Sequence, residues 1–544
     1  MGILAYVVPP MSLFHFTEDR KKELKQRVID NSLLEVLSYP QSKKDELIED
    51  MIYWETQRVK RVSWGFKKKR ELSYWNRFRQ RYVKTLDEED KAYIFKEAIF
   101  NYTDEIVGNF NPKTYRFSVQ IIPRFLDFLM NASSLKRFYS YTKSFINENL
   151  VLTGDLERIG KLSHEATLIY TPTHVSNLDS ILIGTALHQA GLDPVMYGAG
   201  LNLFRSKLIG YFMKNLGAYK VDRLKVHELY KNVLKEYTTS SLEMGFHNLF
   251  FPGGTRSRSG AVEKKLKLGL MGGGIKAYIR NLQHKKKNKN IFVIPMNLSS
   301  HLTLEAETLI DDFLRAVGKS RYIIENDEFS KPQRIFSFLK TYTKLHSKTF
   351  IHFGDPLDLF GNQVDQNGVS MDRHGRTIDI QKYVEKNRKI LLNEDRDQNY
   401  TRELGQSLLE VFHKNNRVLS THLVAFTLYE YIASQNKGDI YQFSRKHAYF
   451  KPIPVGVVCE QIDVVRKILS DLSAKNKISY SDSLRKKTSS EILHNALRIF
   501  ATYHKRKTIY RKGNEIYIGD IFLLYYYHNR LVGYNIEGAL RGSL

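Results

Sequence analysis

Histidine and aspartate residues five positions apart could form a general-base pair in this sequence. An imidazole held by a carboxylate through one nitrogen can take a proton from a hydroxyl group with the other nitrogen near neutral pH. Of the 17 histidines, three have an aspartate at this distance: His174 with Asp179, His188 with Asp193, and His374 with Asp379. About one such match is expected by chance in a chain with this many histidines. By spacing alone, a plain helix cap is therefore favoured over a catalytic pair.

The sequence around each pair distinguishes His174 from the other two histidines. His188 lies in an apolar helical segment that Gly191 would end, and His374 lies in a polar, loop-like stretch. His174 follows a buried-looking strand and precedes a helix whose start is signalled from Ser176 onward. Residues five apart on one helix point about 140° away from each other. His174 can therefore meet its aspartate only if it precedes the helix and folds back over the first turn.

The elements around His174 indicate the fold class. Between residues 166 and 357, helical segments alternate with short β-branched or aromatic runs, at 166–170, 194–197, 218–221, 248–251, 291–294 and 349–353. This alternation predicts an α/β fold with a mixed, largely parallel sheet and flanking helices. The Gly-rich stretch Lys267–Gly274 lacks the Gly-Lys-Ser/Thr ending of a nucleotide P-loop. We interpret it as a loop that enters a helix packed closely on the sheet.

Helical periodicity flanks this α/β region on both sides. We expect a helical N-terminal region at 1–150, the α/β domain at 151–360, and a helical C-terminal region at 378–544. The polar residues 361–376 between the last two are interpreted as a linker or an exposed loop.

The charge of the chain indicates an anionic partner. Lysine and arginine total 84 against 58 acidic residues, a formal net charge of +26, which suits nucleic acid, an acidic membrane or a phosphorylated substrate. The single cysteine, Cys459, excludes an intrachain disulfide and every multi-cysteine zinc site. No apolar stretch reaches the roughly 20 residues of a membrane span, and the N-terminus lacks the basic region of a signal peptide. We therefore expect neither a signal peptide nor a transmembrane helix.

A series of motifs begins at His174. In chain order they are His174–Asp179, Gly198–Leu203, Leu216–Arg223, Phe251–Gly260, Ile294–Pro295 and Phe353–Leu357. In this order the motifs resemble the glycerol-phosphate acyltransferase superfamily, which comprises glycerol-3-phosphate acyltransferases and 1-acylglycerol-3-phosphate acyltransferases. The resemblance implies that residues 151–360 are an acyltransferase catalytic domain.

The resemblance also implies a role for each site residue. His174 would deprotonate the acceptor hydroxyl, and Asp179 would orient the imidazole and stabilise its charged form. The substrate-binding residues would be Arg223, Gly254, Thr255, Arg256 and Arg258. The arginines among them follow strands of one sheet, so their forked donors could converge on a phosphate at the rim where α/β sheets bind ligands.

The implied reaction is transfer of a fatty acyl chain from acyl-CoA or acyl-carrier protein to glycerol-3-phosphate, without a metal or cofactor. Two alternatives stay open: a lysophosphatidate acyltransferase, and a non-catalytic protein that binds anionic lipid on a degenerate acyltransferase scaffold. The last is motivated by Gly253, which stands where the family usually has a glutamate that helps to bind the glycerol acceptor. The fourth block also departs from the family, with Ser300 and His301 where tyrosine and an acid are common.

The tryptophans and a basic cluster share the N-terminal region. Trp54, Trp64 and Trp75 flank the cationic segments 66–70 and 77–81. This composition suits contact with an anionic phospholipid membrane, and it equally suits a solvated basic helix with core-facing aromatics. Because no nucleic-acid motif accompanies the cluster, nucleic acid is not the expected partner. We predict a peripheral protein on the cytoplasmic side of a membrane.

Overall fold

The computed structural model describes residues 12–62, 65–84, 87–120, 150–204, 207–318, 348–435, 439–446 and 450–537. Its N-terminal part contains the helices α1 (Glu18–Leu37), α2 (Gln41–Val62), α3 (Gly65–Lys84) and α4 (Glu88–Ile106). Helix α1 begins where the Thr17 hydroxyl accepts a hydrogen bond from the backbone N–H of Arg20. The predicted helical segment at 121–146 and Trp64 lie outside the described residues.

The basic helix α3 buries Trp75, Phe78 and Tyr82. Trp75 and Phe78 are 8% and 2% exposed in the N-terminal core, whereas Lys69, Arg70 and Arg77 are exposed. For these two aromatics, the interpretation as core-facing residues of a solvated basic helix is confirmed. No helix in the described ranges is long and apolar enough to cross a bilayer.

A seven-stranded sheet forms the centre of the molecule. Its strands are β1 (Leu150–Thr153), β2 (Thr167–Pro172), β3 (Met196–Gly200), β4 (Ala218–Val221), β5 (Asn248–Leu249), β6 (Ile291–Ser300) and β7 (Thr349–Phe353). The order is β1-β7-β6-β2-β5-β3-β4, and every neighbouring pair is parallel except β6 with β7. The predicted mixed, largely parallel sheet is confirmed. Only β1 was not predicted among these strands.

Helices cover both faces of the sheet. They are α5 (Leu156–Glu165), α6 (Asp179–Gln189), α7 (Lys207–Asn215), α8 (Glu228–Glu243), α9 (Gly272–Gln283) and α10 (Ala306–Gly318). In β2, Leu168 and Tyr170 belong to the core that includes α5 and α6, and Ile169 belongs to the core that includes α9. This alternation gives three layers, because successive strand residues point to opposite faces.

The Gly-rich entry to α9 packs closely on the sheet, as predicted. A Cβ atom at Gly274 would lie 3.1 Å from Ile169 Cδ1 and 2.8 Å from Leu359 Cδ2. A larger residue would therefore separate α9 from β2.

Residues 361–376, predicted as a linker or loop, contain a short hairpin. It is formed by β8 (Gln363–Val364) and β9 (Ser370–Met371), and a second hairpin pairs β10 (Glu385–Lys386) with β11 (Lys389–Ile390). Val364 is 2% exposed in the same core as α5, so this stretch packs on the sheet domain.

The C-terminal part is mainly helical and includes a small antiparallel sheet. Its elements are α11 (Glu394–Lys414), α12 (Ser420–Gln435), α13 (Ile440–Lys446), β12 (Ile453–Pro454), α14 (Val455–Ala474), α15 (Asp482–Arg485), α16 (Ser489–Phe500), β13 (Ile509–Lys512), β14 (Glu515–Ile518) and α17 (Ile521–His528). Helix α16 starts with a capping box between Thr488 and Glu491. Helices α10, α12, α14, α16 and α17 share one apolar core, so this part of the chain packs on the sheet domain through α10.

A buried ionic cluster joins the N-terminal helices to the loop after β4. Glu55 of α2, 1% exposed, lies 2.7 Å from Arg58 Nε, 3.6 Å from Lys225 Nζ and 3.5 Å from His227 Nε2. Tyr102 of α4 donates its hydroxyl hydrogen to the same carboxylate at 3.1 Å. Burial by itself would raise the pKa of Glu55, but His227, Lys225 and Arg58 together lower that pKa to about 2.

Glu55→Gln should destabilise the N-terminal helices by about 3–5 kcal/mol, because it leaves buried cations without their carboxylate. Chemical denaturation followed by tryptophan fluorescence measures this directly, since all three tryptophans lie in this region. The folded pKa is below the ordinary 4.5, so the contribution is complete above about pH 4.5 and lost as the pH falls toward 2. Asp19→Asn, at an exposed ion pair, should change stability by less than about 0.5 kcal/mol. Equal effects of the two substitutions would contradict the role of the cluster.

Candidate active site

His174 lies in the short connection between β2 and α6. Thr173, directly before it, is bonded to β6: its N–H donates to the Met296 carbonyl at 2.9 Å, and its hydroxyl accepts from the Leu298 N–H at 3.0 Å. Helix α6 begins at Asp179, so the histidine precedes the helix as the spacing argument requires. Its ring stacks on Phe251 with the ring centroids 4.0 Å apart.

Asp179 closes this connection with a single carboxylate oxygen. Oδ2 lies 2.9 Å from His174 Nδ1 and accepts the backbone N–H groups of Val175 at 2.7 Å and Ser176 at 2.8 Å. The carboxylate is buried and the histidine side chain is 12% exposed. Asp179 therefore closes the turn before α6 and also holds the imidazole. It does not act as a helix cap, because the N-cap residue of α6 is Leu178 and that position has no side-chain cap bond.

Glu305, a residue that was not predicted, connects the His174 loop to Arg256. This fully buried acid, directly before α10, accepts the Ser176 hydroxyl at 2.8 Å and the Asn177 N–H at 3.1 Å. Its Oε1 also lies 3.4 Å from Arg256 Nη1. The carboxylate thus fixes a predicted phosphate-binding arginine relative to the loop that carries His174.

Two of the three predicted arginines lie near His174. The charges of both Arg256 and Arg223 act on the imidazole, and an Arg223 amino group donates to the Gly254 carbonyl at 3.3 Å. Arg258 acts on α10: burial raises the pKa of Asp312, and the charges of Arg258, Arg315 and Arg256 lower it. The charges of Arg223 and Arg256 therefore reach the histidine, and those of Arg258 and Arg256 reach an acid of α10.

The loop 251–260 wraps around the backbone of His174. Its turn at Gly254 has a φ of +71°, and a Cβ there would lie 2.4 Å from the Lys267 side chain, so glycine is required. Thr255 is half-buried in this loop, and Ser257 donates its N–H to the His174 carbonyl at 2.7 Å. The predicted residues Gly254 and Thr255 thus belong to the segment that contacts the histidine.

A second acid missed by sequence reasoning, Glu263, lies on the other side of the same peptide. Its Oε1 accepts the His174 backbone N–H at 2.9 Å. Its distance from His174 in the sequence gives no periodic or motif signal. One weak sequence feature could have identified Glu305, because it is the only charged residue in the mainly apolar segment 302–306.

Burial lowers the pKa of His174, and the charges of Arg256 and Arg223 lower it further, against the opposing effect of Asp179. The ring is consequently neutral at neutral pH. With the Nδ1 hydrogen directed to Asp179, the lone pair lies on Nε2, which is the arrangement a general base needs. Within the described ranges, no three His, Cys, Asp or Glu side chains are grouped so as to hold a metal ion.

The C-terminal region contacts this site. Asn529 donates its side-chain amide to the Ser259 carbonyl at 2.9 Å, and a Cβ at Gly260 would lie 2.2 Å from the Tyr526 carbonyl oxygen. Arg530 is 4% exposed and donates to the Leu298 carbonyl at 2.7 Å. The end of α17 therefore holds the arginine-bearing loop against the sheet.

Comparison with known proteins identifies the domain that carries these residues. A family model described as acyltransferase matches residues 155–299. These residues form an acyltransferase domain. The resemblance of the motifs to the glycerol-phosphate acyltransferase superfamily is thereby confirmed, and the acyltransferase domain contains every predicted site residue.

Curated relatives of the acyltransferase domain are remote in sequence. A protein of Pseudomonas paraeruginosa named glycerol-3-phosphate acyltransferase is 23% identical over 259 residues, which are 47% of this chain and 27% of that protein. Proteins of the same name from Baumannia cicadellinicola and Pseudomonas fluorescens are 25% identical over 259 residues and 24% identical over 205 residues. These matches cover 27% of the Baumannia protein and 23% of the Pseudomonas fluorescens protein. The chain therefore spans about a quarter of the length of the curated relatives it matches.

The pKa of His174 can be tested without substrate, because diethyl pyrocarbonate reacts with neutral imidazole only. We expect half-maximal modification of His174 below pH 6.5, the ordinary value. Arg223→Gln should move this midpoint to higher pH by removing a nearby cation, and Asp179→Asn should move it to lower pH. Peptide mass spectrometry over a pH series measures the rate, with exposed His494 as an internal reference for the reagent. A wild-type midpoint above 6.5 would contradict the described electrostatics.

Proposed function

We propose that this protein transfers a fatty acyl chain from acyl-CoA or acyl-carrier protein to the hydroxyl group of glycerol-3-phosphate. The observation that carries the proposal is the 2.9 Å contact between His174 Nδ1 and Asp179 Oδ2, within a domain that matches the acyltransferase family. The names of the relatives support glycerol-3-phosphate as the acceptor, with lysophosphatidate as the alternative.

In the proposed reaction His174 acts as the general base. Its Nε2 takes the proton of the acceptor hydroxyl while the oxygen attacks the carbonyl carbon of the acyl thioester. The new carbon–oxygen ester bond forms, the carbon–sulfur bond breaks, and the leaving thiolate receives the proton from the imidazolium. Asp179 keeps the ring in the required tautomer and stabilises its charged form.

The charge distribution supports a phosphorylated acceptor. Arg223 and Arg256 lie near a base that is itself neutral, so a bound phosphate meets two guanidinium groups. Desolvation lowers the pKa of Arg223, and the charge of Arg256 lowers it further, so the two cations repel each other. A phosphate dianion would relieve their repulsion.

The fold supports a role for the basic N-terminal surface in contact with anionic lipid. Because Trp75 and Phe78 are buried, the contact we propose is made by exposed cations of α3 rather than by inserted aromatics. The lipid product would then be released at a membrane surface.

His174→Ala should lower acyl transfer at least about a hundredfold, since a positioned general base contributes roughly 10²–10⁴. The assay measures transfer of a labelled acyl chain to glycerol-3-phosphate and, in parallel, to lysophosphatidate by purified protein. His188→Ala is the matched control, because His188 has the same spacing to an aspartate but lies against Tyr115. Full activity of His174→Ala would refute the proposal, and transfer to lysophosphatidate alone would favour the alternative acceptor.

Neutralising Lys69, Arg70 and Arg77 together should weaken binding to phosphatidylglycerol vesicles by about a hundredfold, at roughly 1 kcal/mol for each cation. Vesicle co-sedimentation at several salt concentrations measures this, because a screened interaction weakens with ionic strength. The control variant neutralises three exposed C-terminal lysines, Lys475, Lys477 and Lys486. Equal binding to neutral phosphatidylcholine vesicles would contradict an electrostatic contact.

A further inference from the structure

Gly253 and Glu263 share one space beside the His174 backbone. A Cβ built on Gly253 would lie 3.2 Å from Glu263 Cγ and 3.5 Å from Glu263 Oε1. The side chain of Glu263 therefore begins to fill the place that a side chain at position 253 would take. The backbone of Gly253 is outside the left-handed region, so its conformation permits a larger residue and only the neighbouring carboxylate crowds it.

Glu263 contacts the segment that carries the base. Its Oε1 accepts the His174 N–H at 2.9 Å, while Ser257 of the same loop donates to the His174 carbonyl at 2.7 Å. Both peptide groups that flank the Cα of His174 are thus bonded to the segment 257–263. These two bonds set the direction from which the imidazole extends toward Asp179.

The surroundings of Glu263 are those of a partly desolvated acid. Its Oε2 is closed off from solvent and has no hydrogen-bond partner among the described residues. Burial raises the pKa of this carboxyl, and the charge of Asp179 acts in the same direction, whereas the His174 N–H bond and the charge of Arg530 lower it. A partly desolvated carboxylate near a second acid is unfavourable by itself. The hydrogen bond from the His174 peptide N–H to Glu263 offsets part of this cost.

We propose that Glu263 is a positioning residue: its carboxylate holds the His174 backbone and occupies the space that a side chain at position 253 would enter. This inference rests on the proposed function, because the residue that Glu263 positions, His174, is the general base of that function. Gly253 therefore leaves room for the Glu263 side chain.

The test relocates the carboxylate. Glu263→Ala should lower kcat for acyl transfer by about tenfold to a hundredfold, the scale of a displacement of about 1 Å in a catalytic group, with little change in the KM for the acceptor. Gly253→Glu alone should also lower kcat, because two carboxylates would crowd one space. The double variant Gly253→Glu/Glu263→Ala should recover at least about tenfold over Glu263→Ala. Glu263→Gln, which keeps an oxygen acceptor for the N–H, should stay within a few-fold of wild type.

A second readout does not depend on turnover. The rate of diethyl pyrocarbonate modification at His174 should rise several-fold in Glu263→Ala and return toward the wild-type rate in the double variant, while the rate at His188 stays constant. Circular dichroism and the unfolding midpoint confirm that each variant is folded. Wild-type protein that transfers no acyl chain would refute the proposed function, and the modification rates would still decide the inference. Folded Glu263→Ala with unchanged kcat and unchanged His174 reactivity, or a folded double variant no better than Glu263→Ala, would overturn it.

Discussion

One oxygen atom of Asp179 holds together the turn on which the site is built. It accepts hydrogen bonds from the imidazole Nδ1 and from two successive backbone N–H groups, and the residue is 1% exposed. The hydrogen bonds of a buried carboxylate are stronger than those of a neutral acceptor, and leaving such a group unpaired is costly. The chain reversal between β2 and α6, the tautomer of His174 and the start of α6 consequently depend on the same atom.

Two further acids surround this turn, although the chain carries a large positive charge. Glu305 bonds to the residues after His174 and to Arg256, and Glu263 bonds to the His174 peptide itself. Acids of different segments therefore fix His174 and one of the arginines in relation to each other. The net charge of +26 does not reveal this local arrangement, in which carboxylates support the turn and the charges of two arginines act on the histidine.

The regions that flank the sheet domain contribute to the same loops. From the N-terminal side, Glu55 binds Lys225 and His227, which follow Arg223 by two and four residues. From the C-terminal side, Asn529 and Tyr526 contact the segment 259–260. The helices at the two ends thus act as supports for the loops of the acyltransferase domain.

Much of the fold follows from sequence pattern, because it depends on local regularities. Short β-branched or aromatic runs predicted six of the seven strands of the central sheet, and a histidine at a strand end with an aspartate five residues on predicted a fold-back that the turn adopts. Strand β1 and the hairpin at 363–371 were missed because they are short and gain their burial from distant partners. Composition alone left open whether the aromatics of α3 face lipid or the core. The packing of the N-terminal helices places Trp75 and Phe78 in the core.

The site shows the same division. The sequence by itself predicted that His174 folds back onto Asp179, since a spacing of five at a strand–helix junction is a local geometric property. Only the tertiary structure decided that the charges of Arg256 and Arg223 act on His174, and that Glu305 and Glu263 bond to the turn. These acids lie 129 residues from Ser176 and 89 from His174 along the chain. No periodicity connects positions so far apart, because their contact exists only after β2, β5 and β6 have assembled into one sheet.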